Sequence, residues 1–272
     1  MYTLPAKPQP IGVVLDDAIE LYRNSFRSCW PISLVGTVVV TALRLRADTQ
    51  IPNVTYSGQT ARELFTQISQ SMQHTNSGLS TLLVLLVELL IYGGLFAQIH
   101  YLAMHGRTQS TRDGLVLALR RLPGMILASI IWSVAVGIGM VLLLLPGIYL
   151  WGKLEFWVVA AFADDVGSIG GLGRSWEITQ GNWWRSVTAL TVALIVLAVF
   201  GAGADALAGV AYGLGFTHDL TTLLLIAQVI QGVVAIFVLP ILPAVALSVY
   251  YDMKLRRDGA DLLGRAKSLQ TA

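Results

Sequence analysis

From Leu122 to Gly152 the chain carries no Asp, Glu, Lys or Arg, and from Leu220 to Tyr251 it again carries none. At ~1.5 Å per helical residue, either run is long enough to cross a hydrocarbon core of ~30 Å. Only 12% of the 272 residues are charged, against about 25% in soluble domains. So few charges cannot cover a water-facing surface of this size, and the solvent for much of the chain must be lipid. The mean hydropathy of +0.67 agrees. So do 26 Gly, 7 Trp and 9 Tyr, because membrane helices tolerate Gly and collect Trp and Tyr at their ends.

The same composition excludes several functions. A net charge of +2 gives no footprint for nucleic acid. The lone Cys29 excludes an intramolecular disulfide or a cysteine-cluster metal site. No nucleotide loop, metal-ligand cluster or nucleophile–base pair stands out, so no cofactor, metal or catalytic residue is expected. Met1 to Pro10 does not read as a signal peptide, and the first apolar run is expected to be retained.

The fold expected is an all-α, polytopic membrane bundle of about six transmembrane helices, as a single domain over 1–272. Between Ile11 and Ser28, apolar residues at helical spacing face Asp16, Asp17, Glu20, Arg23 and Arg27 on the other side. This pattern predicts a helix over 11–28 lying in the membrane surface. The spans are then about 28–46, 79–104, 123–145, 148–163, 184–216 and 220–252. The turn between the third and fourth is expected at Leu145-Pro146-Gly147. The loop 47–78 includes a possible amphipathic helix from Ala61 to Met72, and Thr217 to Asp219 forms a turn. A second interfacial helix is expected from Ser168 to Thr179, weakened by Gly170, Gly171 and Gly173. Gly181 should end it, and Asn182 should cap the next span. Pro240 and Pro243 should kink the last span. Residues 253–272 read as a charged tail.

Orientation follows from the basic residues. Fourteen of the 18 fall on the side of the N-terminus, while Arg44, Arg46 and Arg62 fall opposite and Lys153 lies within a span. The positive-inside rule puts both termini in the cytoplasm and so makes the membrane the cytoplasmic (inner) one.

Four ionisable residues fall inside spans: Glu88, Lys153, Glu155 and Asp205. A mid-membrane charge costs about 2.5–3.5 kcal/mol on insertion scales, so each should face protein or water. Lys153 and Glu155 are two apart and point to different helix faces. Lys153 is therefore expected to meet Glu88 or Asp205 across helices. Three acids against one base leave a carboxylate protonated, near water or bound to a cation. A water-filled cavity around these four residues would indicate transport, and their dispersion a scaffold. The small residues from Gly201 to Gly209, continued by Gly213, read as a helix-packing surface within or between chains. Interface or lipid contacts are expected from Arg174, Trp176, Trp183, Trp184 and Arg185, and from the basic cluster Lys254, Arg256 and Arg257.

Three stretches together resemble the family named for the glycerophosphoryl diester phosphodiesterase membrane domain, with its YciC-like relatives. They are Pro10 to Phe26 (PIGVVLDDAIELYRNSF), Leu145 to Leu150 (LPGIYL) running into Arg174 to Arg185 (RSWEITQGNWWR), and Tyr250 to Gly259 (YYDMKLRRDG). Gly171-Leu-Gly173 departs from the alanine-containing helix usual there. The resemblance implies a six-helix membrane domain and no established activity. The chain has no room for the soluble phosphodiesterase barrel, so that activity does not follow. The expected function is a non-enzymatic module that binds membrane lipid, a protein partner or a second copy of itself. The alternatives are a small transporter or channel and, last, a membrane-embedded hydrolase.

Overall fold

The computed structural model describes residues 4–5, 7–48, 77–215 and 220–270. The expected helix Ala61 to Met72 and turn Thr217 to Asp219 lie outside the described residues. Within them the chain is all-helical. The helices are α1 (Ile11–Asp48), α2 (Ser77–His105), α3 (Thr111–Leu142), α4 (Leu144–Leu154), α5 (Trp157–Ala163), α6 (Gly167–Ile178), α7 (Trp183–Gly213), α8 (Leu220–Val238) and α9 (Ile241–Gln270). Six stretches are long and apolar enough to cross a membrane: Ile11–Arg44, Gly78–His105, Thr111–Leu142, Leu144–Ala163, Trp183–Val210 and Leu225–Gly259. Their outward faces are aliphatic in mid-helix, as at Ile130, Val134, Ile138, Ile195 and Val199, all at least half exposed. Water does not tolerate so much contiguous apolar surface, and lipid does.

The first helix corrects the sequence reading. Residues 11–28 do not form a separate interfacial helix, because α1 runs unbroken through Pro31 to Asp48. Val14, Ala18, Leu21, Ser25, Cys29 and Ile32 are all buried and follow one stripe along both halves. That stripe packs on α2 and α9. Much of the apolar face read as lying in the membrane surface is thus covered by protein, while Ile19 stays 57% exposed. Pro31 removes a single backbone donor, and packing on either side holds the helix continuous.

The turn between α3 and α4 falls at Leu143, in extended conformation, and not at Leu145-Pro146-Gly147. Pro146 and Gly147 belong to the first turn of α4, where a missing N–H costs little. Gly147 is needed for close packing, since a Cβ there would meet Met140 at 2.5 Å.

The fourth apolar stretch is broken at Glu155-Phe156 into α4 and α5. Ser175 on α6 repairs the break. Its hydroxyl donates to the Lys153 carbonyl at 2.8 Å and accepts from the Phe156 N–H at 3.1 Å. The expected short helix is present as α6, and Gly181 follows it with φ +75°. Gly171 has a packing role, because a Cβ there would sit 2.3 Å from the Trp157 carbonyl oxygen on α5. Ser168 is buried and does not cap α6, whose cap position is Val166.

The last span is broken at Leu239-Pro240 into α8 and α9 rather than merely kinked. α9 then continues through 253–270, the segment read as a tail.

Candidate functional site

Two carboxylates organise one end of the bundle. Asp164, at the C-terminus of α5, accepts from Lys254 Nζ at 2.6 Å, Arg174 Nε at 2.7 Å and the Tyr250 hydroxyl at 2.8 Å. Asp252 on α9 accepts from Arg185 Nε at 2.7 Å, Arg256 Nε at 2.9 Å and the Gln9 N–H at 2.8 Å. Arg185 and Arg256 both donate to the Gln9 carbonyl as well. These contacts tie the segment before α1 to α5, α6, α7 and α9.

Burial would by itself raise the Asp164 carboxyl. Hydrogen bonds from Lys254, Arg174 and Tyr250 outweigh it and hold the group below the usual aspartate value. For Arg174, burial acts to lower the pKa, and the Asp164 carboxylate more than offsets it. Arg174 also reaches Glu177 at 3.4 Å and Asp258 at 3.7 Å. Beside this cluster Arg121 pairs with Asp165.

The residues read as lipid contacts divide accordingly. Arg174, Arg185, Lys254 and Arg256 hold the two carboxylates, and Arg257 donates to the Glu177 carbonyl. Trp176 and Trp183 pack on Tyr149, and the Trp183 indole donates to the Tyr149 carbonyl at 3.1 Å. Trp184 is 76% exposed beside them.

The intramembrane charges do not converge. Glu88 pairs with Arg44 at 2.6 Å. Asp205 accepts from Gln231. Glu155 donates its backbone N–H to the Trp151 carbonyl at 3.0 Å and makes no ion pair among the described residues. Lys153 meets neither Glu88 nor Asp205, contrary to expectation. Its Nζ lies 5.3 Å from the Trp176 ring and 5.6 Å from the Tyr149 ring. The physical reason is the break after α4, which delivers Lys153 to the aromatic cluster at the end of α6 and the start of α7. The glycines of the 201–209 run make no close approach within the described chain: a Cβ at Gly201, Gly203 or Gly209 meets nothing within 4 Å. Ala204 and Ala208 are the buried residues of that run.

Toward the opposite end lies a cavity of about 960 Å³, walled by α1, α2, α3, α7, α8 and the start of α9. This volume is at the upper end of the ~300–1,000 Å³ common for ligand pockets. Its walls are mostly aliphatic, with Leu82, Leu86, Ile130, Val134, Leu197 and Val238 among them. Polar groups reach it from Thr37, Thr41, Ser129, Ser133, Gln228 and Gln231, together with the Arg44–Glu88 pair. Leu82, Leu85, Ile130, Val134 and Phe200 are each about half exposed, so the space opens outward. These residues lie on α2, α3 and α7, and α3 and α7 have little contact with each other. Of the four intramembrane charges, Glu88 alone lines it.

Sequence reasoning missed Asp164, Asp252, Tyr250, Gln9 and Ser175. Asp164 and Asp252 had one available signal: each ends an apolar run, and Asp252 is followed closely by Lys254, Arg256 and Arg257.

Fold and site together define an all-helical protein with six helices apolar enough to span a membrane, a polar network at one end and an apolar cavity toward the other. The chain belongs to the family described as a domain of unknown function (DUF7847), which matches residues 73–252. No curated protein matches the chain, and no solved structure matches it.

Proposed function

We propose that the protein is a non-enzymatic membrane module that holds a lipid in the cavity between α3 and α7. The observation that carries this reading is the cavity itself: large, aliphatic, open toward the lipid-facing side and edged by a few polar groups. Such a space would be empty at high cost in a membrane, where acyl chains are the abundant filler. The Arg44–Glu88 pair gives a polar head somewhere to rest.

Lys153 and Glu155 lie off the cavity wall and Asp205 is held by Gln231 at its edge, so the four charges do not share one site, which supports holding over transport. The resemblance to the phosphodiesterase-associated membrane domain is supported by a convergence. Arg174 and Arg185 of its second stretch and Tyr250, Lys254 and Arg256 of its third meet at Asp164 and Asp252, joined by Gln9 just before the first. The basic excess supports placing that end, with both chain termini, on the cytoplasmic side of an inner membrane.

The test is extraction of the protein from native membranes and mass spectrometry of what it retains. A stoichiometric lipid is expected. Gly201→Phe should displace it without unfolding the chain, because Gly201 lines the cavity and has open space beyond its Cα. Retention of the same lipid by Gly201→Phe, or of none by the native chain, would refute the reading.

A further inference from the structure

Lys153 is 4% exposed, and no ion pair or hydrogen bond reaches its Nζ among the described residues. The rings of Tyr149 and Trp176 flank the ammonium, 6.1 Å apart and nearly perpendicular to each other at 87°. Trp183 closes the Tyr149 side with its ring 5.8 Å away. Ser175 fixes the Lys153 backbone from below through its carbonyl.

A second cation lies at the same end of α6: Arg257 on α9 donates to the Glu177 carbonyl, next in sequence to Trp176. Neither nearby acid neutralises Lys153. Glu155 makes no ion pair among the described residues, and the Glu177 carboxylate lies on Arg174. Burying an ammonium without a counter-charge is costly. Cation–π contact with two rings returns only part of that cost. An ammonium buried in an aromatic frame without a carboxylate, with a guanidinium at the end of the same helix, is a site short of one anion. Tyr149, Trp176, Trp183 and Trp184 place it at the depth where aromatic belts meet lipid head groups, which is where phosphates are concentrated.

We propose that Lys153 and Arg257 bind a phosphate group framed by Tyr149 and Trp176, and that its source is the head group of an anionic phospholipid. None of these four residues lines the lateral cavity, so this site stands or falls separately from the lipid-holding function.

The full-length protein, exchanged into detergent to strip endogenous lipid, is titrated with dioctanoyl phosphatidylglycerol, dioctanoyl phosphatidylcholine and inorganic phosphate. Thermal midpoint and native mass spectra are the readouts. Phosphatidylglycerol should raise the midpoint and remain bound, at a half-saturating concentration well below that of phosphatidylcholine. Lys153→Met should weaken phosphatidylglycerol by about tenfold or more, as expected for losing a charge-assisted hydrogen bond. Lys153→Arg should keep most of the binding. Arg257→Gln, on a less buried residue, gives an independent reading should Lys153→Met fail to fold, and should narrow the preference for phosphatidylglycerol. Inorganic phosphate matching phosphatidylglycerol would overturn the lipid as the source. Equal binding of both lipids, or unchanged phosphatidylglycerol binding in both Lys153→Met and Arg257→Gln, would overturn the site. Gly201→Phe, aimed at the cavity, should leave this titration unchanged.

Discussion

The carboxylate of Asp164 accepts from the ammonium of Lys254 at 2.6 Å, across 90 positions of sequence. The Asp164 side chain is 10% exposed, and Arg174 and Tyr250 complete its shell. The contact therefore closes the bundle between the end of α5 and the middle of α9.

Removing that negative charge leaves Lys254, Tyr250 and Arg174 a neutral amide oxygen in its place, with Glu177 and Asp258 remaining for Arg174 alone. Asp164→Asn should cost about 2–4 kcal/mol, near the range for breaking a buried pair. Reaction of Cys29 with maleimide provides the readout. Cys29 is 0% exposed, so its labelling reports opening of the fold. Native-like protection of Cys29 in Asp164→Asn at raised temperature would contradict the role given to this cluster.

The same residue predicts a pH dependence. The folded pKa of Asp164 lies below its unfolded value, which is about 3.9. Its contribution to stability is complete above that unfolded value and disappears as pH falls through the lower folded one. Arg174, shifted upward, stays protonated throughout. Thermal midpoints taken between pH 6 and pH 3, roughly the span set by those aspartate values, should fall more steeply for the native chain than for Asp164→Asn. Parallel curves would be the contrary result.

At the α5–α6 contact, the prediction is steric. Gly171→Ala places a methyl 2.3 Å from the Trp157 carbonyl oxygen, and backbone cannot yield as a side-chain end can. A loss of about 1–3 kcal/mol is expected, the usual cost of overpacking. Gly173→Ala, where a Cβ meets nothing within 4 Å, should be neutral or slightly stabilising. The two variants, compared by Cys29 protection, control for each other.

Along the cavity wall, Arg44 and Glu88 should behave as a coupled pair. Arg44→Leu leaves the Glu88 carboxylate without its partner and should cost about 1–2 kcal/mol, as for other half-satisfied polar groups. Arg44→Leu combined with Glu88→Leu should recover much of that loss, because both charges are gone. Additive losses in the double variant would argue against the pairing.

The places where sequence reasoning failed share one cause. Residues 11–28 have an amphipathic pattern that suits a membrane surface equally well as a protein partner. Only the position of α2 and α9 against Val14, Ala18 and Leu21 decides between them. The fourth span looked continuous because α4 and α5 are both apolar, and the break becomes stable only when Ser175, on another helix, meets Lys153 and Phe156. Lys153 was assigned to Glu88 or Asp205 by sign of charge, whereas the structure sends it to Tyr149 and Trp176.

The sequence alone determined that the described residues are helical and roughly where six apolar stretches run. Those properties follow from transfer of each segment between water and hydrocarbon, a sum over neighbouring residues that needs no knowledge of the rest of the chain. Tertiary structure alone decided which charges meet, which faces are covered and where space remains. Contacts such as Asp164 to Lys254, and the gap between α3 and α7, depend on the mutual placement of helices, and no local sum contains that information.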